Sequence, residues 1–211
     1  SGTEFSSNGI SVGVDRRINR QLAVGIGLGY ARDKTLIGTD GSVNRSKGYS
    51  VAGYGSYQLS EKTYLDALLG IGSIDFETRR FVAPMNDFAL GQRGGNQIFG
   101  SLTGGYEWRE RDLLVSPYAR IDFSVDKLRA STETGAGAFA LTYFGQTNTS
   151  VQGAFGVRAE SAHATSFGYA VPRVRAELRH EFKGNGDAFV GYADQPGGPR
   201  FAITSSASAR N

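Results

Sequence analysis

The chain has 211 residues, 39% of them hydrophobic, a formal net charge of +3 and no cysteine. That length suits one large domain or one all-β barrel, and the missing cysteine excludes a disulfide framework, a thiolate metal site and a cysteine nucleophile. Acids and bases are interspersed, so no basic stripe invites nucleic acid, while 30 glycines and 23 Tyr plus Phe against one Met describe a β protein.

Residues 9–17, GISVGVDRR, alternate Ile10, Val12 and Val14 with Ser11, Gly13 and Asp15, the period of a strand. After a short connection, residues 21–34 set Leu22, Val24, Ile26, Leu28 and Tyr30 against Ala23, Gly25, Gly27 and Gly29. The apolar run 22–31 is far shorter than the ~18 residues of a transmembrane helix. Its Gly25-Ile-Gly27-Leu-Gly29 lacks the spacing and the following helix of a dinucleotide loop. Residues 35–44 are expected to form a long polar loop.

Residues 45–59 place Tyr49, Val51, Tyr57 and Leu59 on one face, and 60–62 are a tight turn. Residues 63–78 put Leu65, Ala67, Leu69 and Ile71 opposite Asp66, Gly70 and Gly72; Leu68 marks either a bulge or an inward Leu. Residues 79–95, with Pro84, are expected to be a second long loop. Residues 96–108 and 113–128 supply two more strands, joined by the short charged turn 109–112. The second alternates Ala119, Ile121, Phe123 and Val125 with Tyr118, Arg120, Asp122 and Asp126. Pro117 near its start sits where a missing donor is tolerable. Residues 129–149 are a third long loop with a short hairpin arm at 139–143. Residues 150–161 alternate Val151, Phe155 and Val157 with Gln152, Arg158 and Glu160, and 162–166 turn the chain.

The stretch 167–182, FGYAVPRVRAELRHEF, is the most instructive. Alternate residues give Val174, Ala176 and Leu178 on one side and Arg173, Arg175, Glu177, Arg179 and Glu181 on the other. A helix would scatter these five charges around its circumference, whereas a strand collects them on one face. Beyond residue 183 alternation fades, with room for one further strand near the end.

Connections therefore alternate short and long, and roughly eight strands approach or exceed the ~9–11 residues that cross a bilayer at a tilt. Aromatics on the apolar face gather near strand ends, Tyr30 and Tyr49 toward the long loops and Tyr57, Tyr64, Tyr106 and Trp108 toward the short turns. Two interfacial girdles around a lipid-facing band account for this better than a soluble core, which would keep its largest rings mid-strand. The fold class expected is an all-β, transmembrane, antiparallel up-and-down barrel, with the whole of 1–211 one domain. The greasy faces meet outer-membrane lipid. The charged residues Asp15, Asp66, Arg120, Asp122, Asp126, Arg158, Glu160, Arg173, Arg175, Glu177, Arg179 and Glu181, with Tyr118, line the lumen.

The segments GVDRR (13–17), TYLDALLGIGSIDFETRR (63–80), SPYARIDFSVDKLRASTETGAGAFAL (116–141) and AELRHEF (176–182) resemble the autotransporter β-domain, the outer-membrane translocator of type V secretion. The resemblance runs along essentially the whole chain. It implies a barrel of about twelve strands, of which about eight or nine stand here, so that the first strand, the lumenal helix and the last strands are expected outside this sequence. It also implies the protein's partners: its own N-terminal passenger polypeptide, the linker helix in the lumen, and the barrel-assembly machinery. Localisation is then the outer membrane of a Gram-negative bacterium, with no cofactor and no catalysis in this domain.

The charged row carries two readings of equal weight. Opposite charges pair across the ladder and hold the wall together, and a charge-balanced, hydrated lining lets an unfolded passenger slide. His163, in a turn, and His180, on the apolar side, stand beside no nucleophile that would make a catalytic set, and two histidines make no metal site with these neighbours. The alternative function is a small porin- or adhesin-like barrel whose long loops bind a ligand; an outer-membrane hydrolase would require Asp, His and Ser clustered on those loops.

Overall fold

A computed structural model describes residues 3–165, 168–185, 187–192 and 201–204. The long strands are β1 (Thr3–Arg17), β2 (Leu22–Ile37), β3 (Ser42–Gln58), β4 (Thr63–Val82) and β5 (Asp87–Tyr106), followed by the three-residue β6 (Trp108–Glu110) and by β7 (Leu113–Leu128). Two short strands, β8 (Ser131–Thr132) and β9 (Leu141–Tyr143), precede β10 (Gln146–Ser161). Then come β11 (His163–Thr165), β12 (Gly168–Ala170), β13 (Arg173–Asn185), β14 (Asp187–Tyr192) and β15 (Phe201–Thr204).

Every long strand pairs antiparallel with its sequence neighbour in the order β1-β2-β3-β4-β5-β7-β10-β13, with β6 added alongside β7. Each connection is a hairpin, so the sheet is an up-and-down meander. Among the described residues it is open, because β1 and β13 each pair on one side only. The break between β5 and β6 has a local cause. It falls opposite Pro117, between the pairs Gly105↔Tyr118 and Trp108↔Val115, where β7 has no N–H to donate.

Two expected loops are strands instead. Pairing of β2 with β3 runs on to Ile37↔Ser42, and pairing of β4 with β5 to Val82↔Asp87. The polar composition of 35–44 and 79–95 conceals this, since backbone pairing in water needs no apolar face once a hairpin is already in register. What closes them is turn chemistry. Gly38 and Gly41 take φ of +67° and +84°, and Asn86 takes φ of +49° after a 3-10 turn containing Pro84. The third expected loop holds a hairpin arm, but one that joins β8 to β9: of the expected 139–143 only Leu141–Tyr143 is strand, and Gly137–Phe139 is a 3-10 turn. Within the expected turn at 162–166, His163–Thr165 form β11, which pairs with β12, and the following long strand begins at Arg173; Ser166 and Phe167 lie outside the described residues. Leu68 sits in unbroken register with both neighbours, opposite Tyr54 and Ser101, so it is an ordinary residue of the polar face and marks no bulge. The bulge is at Phe182, skipped between Val151↔Lys183 and Gln152↔Glu181.

The two faces differ sharply. Ile10, Val12, Val14, Ile26, Leu28, Leu69, Ile71, Ile98, Leu102, Ile121, Phe155, Val174 and Leu178 are all exposed on one face, Leu178 at 81%. The other face carries rings laid over glycines of adjacent strands: Tyr54 over Gly25, Phe99 over Gly70, Tyr64 over Gly105 and Tyr118 over Gly156. In each case an added Cβ would collide with the ring. The hydrophobic cluster buried among the described residues lies past the sheet's body, where Val82 and Ala89 of the β4–β5 hairpin meet Ala136 and Ala140 of the connection before β10.

Candidate functional site

The polar face of β7, β10 and β13 is built from three strands whose side chains alternate in phase. Tyr118, Gly156 and Glu177 form one cross-strand row; Arg120, Ala154 and Arg179 form the next. The small residues of β10 leave a gutter across which the long side chains of β7 reach β13. The Tyr118 hydroxyl crosses Gly156 to donate to Glu177, and it accepts from Arg175 Nε at 2.6 Å. Arg120 crosses buried Ala154 to place Nη2 2.9 Å from Glu177 Oε1, while its Nε binds Asp122 at 2.8 Å. Arg175 Nη2 and Arg179 Nε complete the set at 2.9 and 2.5 Å. Glu177 thus receives one hydroxyl and three guanidinium groups, with only 9% of its side chain exposed.

A second group lies toward the short turns. Glu160 Oε1 forms ion pairs with Arg158 Nε and Arg173 Nε, each at 3.4 Å, and Glu107 lies 3.7 Å from Arg158; the buried Arg158 Nε has no hydrogen-bond partner among the described residues. Two arginines therefore face two glutamates. Arg158 stands directly opposite Arg175, a like-charge pairing that would be unfavourable alone; the flanking glutamates offset it. Glu181 accepts from Ser150 at 3.1 Å.

The remaining expected lining residues lie apart. Asp126 pairs in register with Gln97 and Asn148, and its Oδ1 is buried without a hydrogen-bond partner. Asp66 sits opposite Ser56 and Thr103, and Asp15 opposite Gly25; both share the polar face without joining the arginine network.

Of the six expected interfacial aromatics, Tyr49, Tyr57, Tyr106 and Trp108 are exposed on the apolar face, and Tyr30 is half-buried with its ring 5.1 Å from that of Tyr49. Tyr64 is a correction. It is buried on the opposite face, with its ring over Gly105 and its hydroxyl 3.2 Å from that of fully buried Ser116. Strand parity is the reason, since Tyr64 shares the phase of Asp66 and not that of Leu65.

One further charged centre escaped the sequence reading. Glu133, in the connection between β7 and β10, has a fully buried side chain that accepts two bonds from Arg80 at 3.2 and 2.6 Å. It also accepts from the Leu141 amide at 3.1 Å and the Tyr143 hydroxyl at 3.3 Å. Arg80 lies in a segment that reads as loop, so no periodicity marks it. Burial, and then the Glu133 charge, push the Tyr143 phenol above its ordinary pKa. At the short-turn end, Ser161 Oγ and His163 Nε2 are 3.0 Å apart. No acid orients the other ring nitrogen among the described residues, so the pair lacks the third member of a hydrolytic set. Among the described residues, no three His, Asp or Glu side chains converge in a way that could hold a metal ion.

The family described as "Autotransporter beta-domain" matches residues 1–211. The chain belongs to the autotransporter β-domain family. It is the outer-membrane translocator barrel of such a protein, with a fold to match: the translocator domain of autotransporter NalP from Neisseria meningitidis superposes with a TM-score of 0.78 at 14% identity, covering 97% of this chain and 77% of that one. The β domain of the Bordetella autotransporter BrkA gives 0.66 at 20% identity, covering 90% and 80%. By sequence the chain is 25% identical over 185 residues to esterase EstA of Pseudomonas aeruginosa, and equally to its namesake from Pseudomonas putida. The match covers 82% of this chain but only 27% of either relative, so the chain spans about a quarter of the length of the curated relatives it matches.

Proposed function

We propose that this autotransporter domain forms the wall of a conduit through which the protein's own passenger polypeptide reaches the cell surface, and which afterwards holds the linker helix. The observation that carries the reading is the division of one sheet into an exposed apolar face and a face of paired charges. On the first, Tyr49 and Tyr57 stand eight residues apart on one strand, about 26 Å of chain and about 20 Å of height at the usual barrel tilt, matching a thin outer membrane. The apolar face then meets lipid. On the second, arginines and glutamates hold one another, so a passing chain meets hydrated charges already satisfied and finds little to adhere to. The buried, unpartnered oxygen of Asp126 is a natural contact for a cation on the linker helix. The open edges of β1 and β13 cannot face hydrocarbon with unpaired amides, so in the membrane both edges are paired, and the barrel-assembly machinery places the wall there.

The test is charge reversal in the full-length protein. Arg175→Glu and Glu177→Arg, made singly, are expected to lower passenger display on intact cells, measured by surface proteolysis, and the double reversal to restore part of it. Unchanged display and unchanged barrel stability in both single variants would refute the inward assignment of these residues.

A further inference from the structure

On the apolar face, immediately past the Tyr30–Tyr49 pair, the side chains change from hydrocarbon to cation. Arg32 of β2 stands directly opposite Lys47 of β3, and Lys34 directly opposite Arg45. All four are exposed and share the phase of Tyr30 and Tyr49, two and four residues beyond the rings, so they sit about 7 and 13 Å further along the strands. Two like-charged rows stacked on one face are unfavourable unless something anionic sits between them. The protein supplies little of it. Lys47 approaches Glu77 at 3.8 Å, and among the described residues Arg32, Lys34 and Arg45 have no hydrogen-bond or ion-pair partner. On the β1 side their register partners are the neutral Asn8 and Ser6. On the β4 side stand Asp75 and Glu77, and Asp75 points across Gly94 toward Arg129. By contrast Asp33, between Arg32 and Lys34 in sequence, faces the other way and accepts from Ser7 at 2.6 Å and Ser46 at 2.8 Å. It neutralises nothing on the cationic face.

We propose that Arg32, Lys34, Arg45 and Lys47 form a binding site on the outside of the wall for the phosphorylated headgroup of an outer-leaflet lipid. The inference rests on the reading of the apolar face as lipid-facing. Given that, the height is right, because the tyrosine pair marks the edge of the hydrocarbon and the cations begin where headgroups begin. The chemistry is right as well. Two guanidinium groups offer paired N–H donors to phosphate oxygens, and two ammonium groups contribute point charges beside them. A phosphomonoester bound over the 2×2 block would relieve both like-charge rows at once.

The experiment uses the full-length protein in phosphatidylcholine nanodiscs containing a minor fraction of bisphosphorylated lipid A, with lipid retained after purification counted by native mass spectrometry. Replacing all four cations (Arg32→Gln, Lys34→Gln, Arg45→Gln, Lys47→Gln) should lower retained lipid A about tenfold or more. The pair Arg32→Gln and Lys47→Gln alone should give an intermediate loss. Arg109→Gln with Arg111→Gln, at the opposite rim, should give none. Retention that is unchanged in the fourfold variant overturns the site. Inorganic phosphate that displaces the lipid at matched phosphate concentration also overturns it, leaving an adventitious ion only. A fluorophore on Leu102→Cys, read against the unlabelled parent, separates this result from failure of the underlying reading. Quenching by nitroxide-labelled acyl chains with no loss of retention sinks the headgroup site alone, whereas absence of quenching sinks the lipid-facing assignment and the site with it.

Discussion

Glu177 is the residue on which side chains of β7, reaching across β10, converge with those of its own strand β13, and its neighbours show why type and position both matter. Tyr118 donates to it and accepts from Arg175, so the phenol relays between an acid and a base that share a strand. Tyr118→Phe keeps the ring over Gly156 and deletes the relay. The expected loss is about 1–2 kcal/mol of barrel stability, measured by urea unfolding in lipid vesicles, with Glu177→Gln costing more because three arginines lose their shared charge. An unchanged unfolding midpoint for Tyr118→Phe would mean the network is incidental. The strand phase put Arg120, Arg175, Glu177 and Arg179 on one face from the sequence alone. What it could not supply was the reach across β10, because Gly156 and Ala154 look like generic small residues until the register sets them between partners. Tyr64 differs for the opposite reason: its nearness to a strand end suggests an interfacial ring, but its parity with Asp66 turns it to the polar face.

At the scale of elements, the glycine–aromatic contacts behave as joints between neighbouring strands. An alanine at Gly25 would drive its Cβ into the ring of Tyr54. Gly25→Ala should therefore destabilise the wall, and Tyr54→Leu in the same chain should recover most of the loss. A double-mutant cycle is expected to return a coupling of about 0.5–3 kcal/mol; additive effects would show that the ring moves aside at no cost. The connection between β7 and β10 is a separate small unit, clamped to the β4–β5 hairpin by Arg80 and Glu133 over a core of four small residues. Glu133→Gln retains the shape and removes the charge. It should expose this connection to limited proteolysis, at a cost of about 1–3 kcal/mol, while the wall stays resistant. The Tyr143 phenol gives the clamp a pH limit. Its pKa is raised in the folded state by burial and by Glu133, so the stabilisation it brings is complete below the ordinary phenol value near 10 and is lost as pH rises through the higher folded value. Proteolysis of the connection should therefore be flat through neutral pH and accelerate only above about 10. Of the hairpin arm only the β9 half falls within the expected 139–143; its partner β8 and the clamp stay hidden in the sequence, since neither Arg80 nor Glu133 belongs to a periodic run.

For the whole molecule, the decisive property is which face meets hydrocarbon, and two adjacent residues of β4 put it to the test. Leu69 is exposed on the apolar face midway between the upper and lower aromatics, aligned with Gly53 and Gly100; Leu68 belongs to the polar face beside Tyr54. In a soluble sandwich the apolar face would be the interior, and arginine would be more damaging at Leu69 in any solvent. In a membrane barrel the penalty at Leu69 comes from lipid. Leu69→Arg is then expected to cost about 2–4 kcal/mol of folding into vesicles, while leaving detergent-solubilised protein, whose micelle adapts around one cation, much less affected. Leu68→Arg should show no such dependence on the bilayer, since its side chain points to the charge-bearing face where water and carboxylates are at hand. Equal penalties at the two positions in vesicles would remove the distinction between faces on which export through this barrel depends.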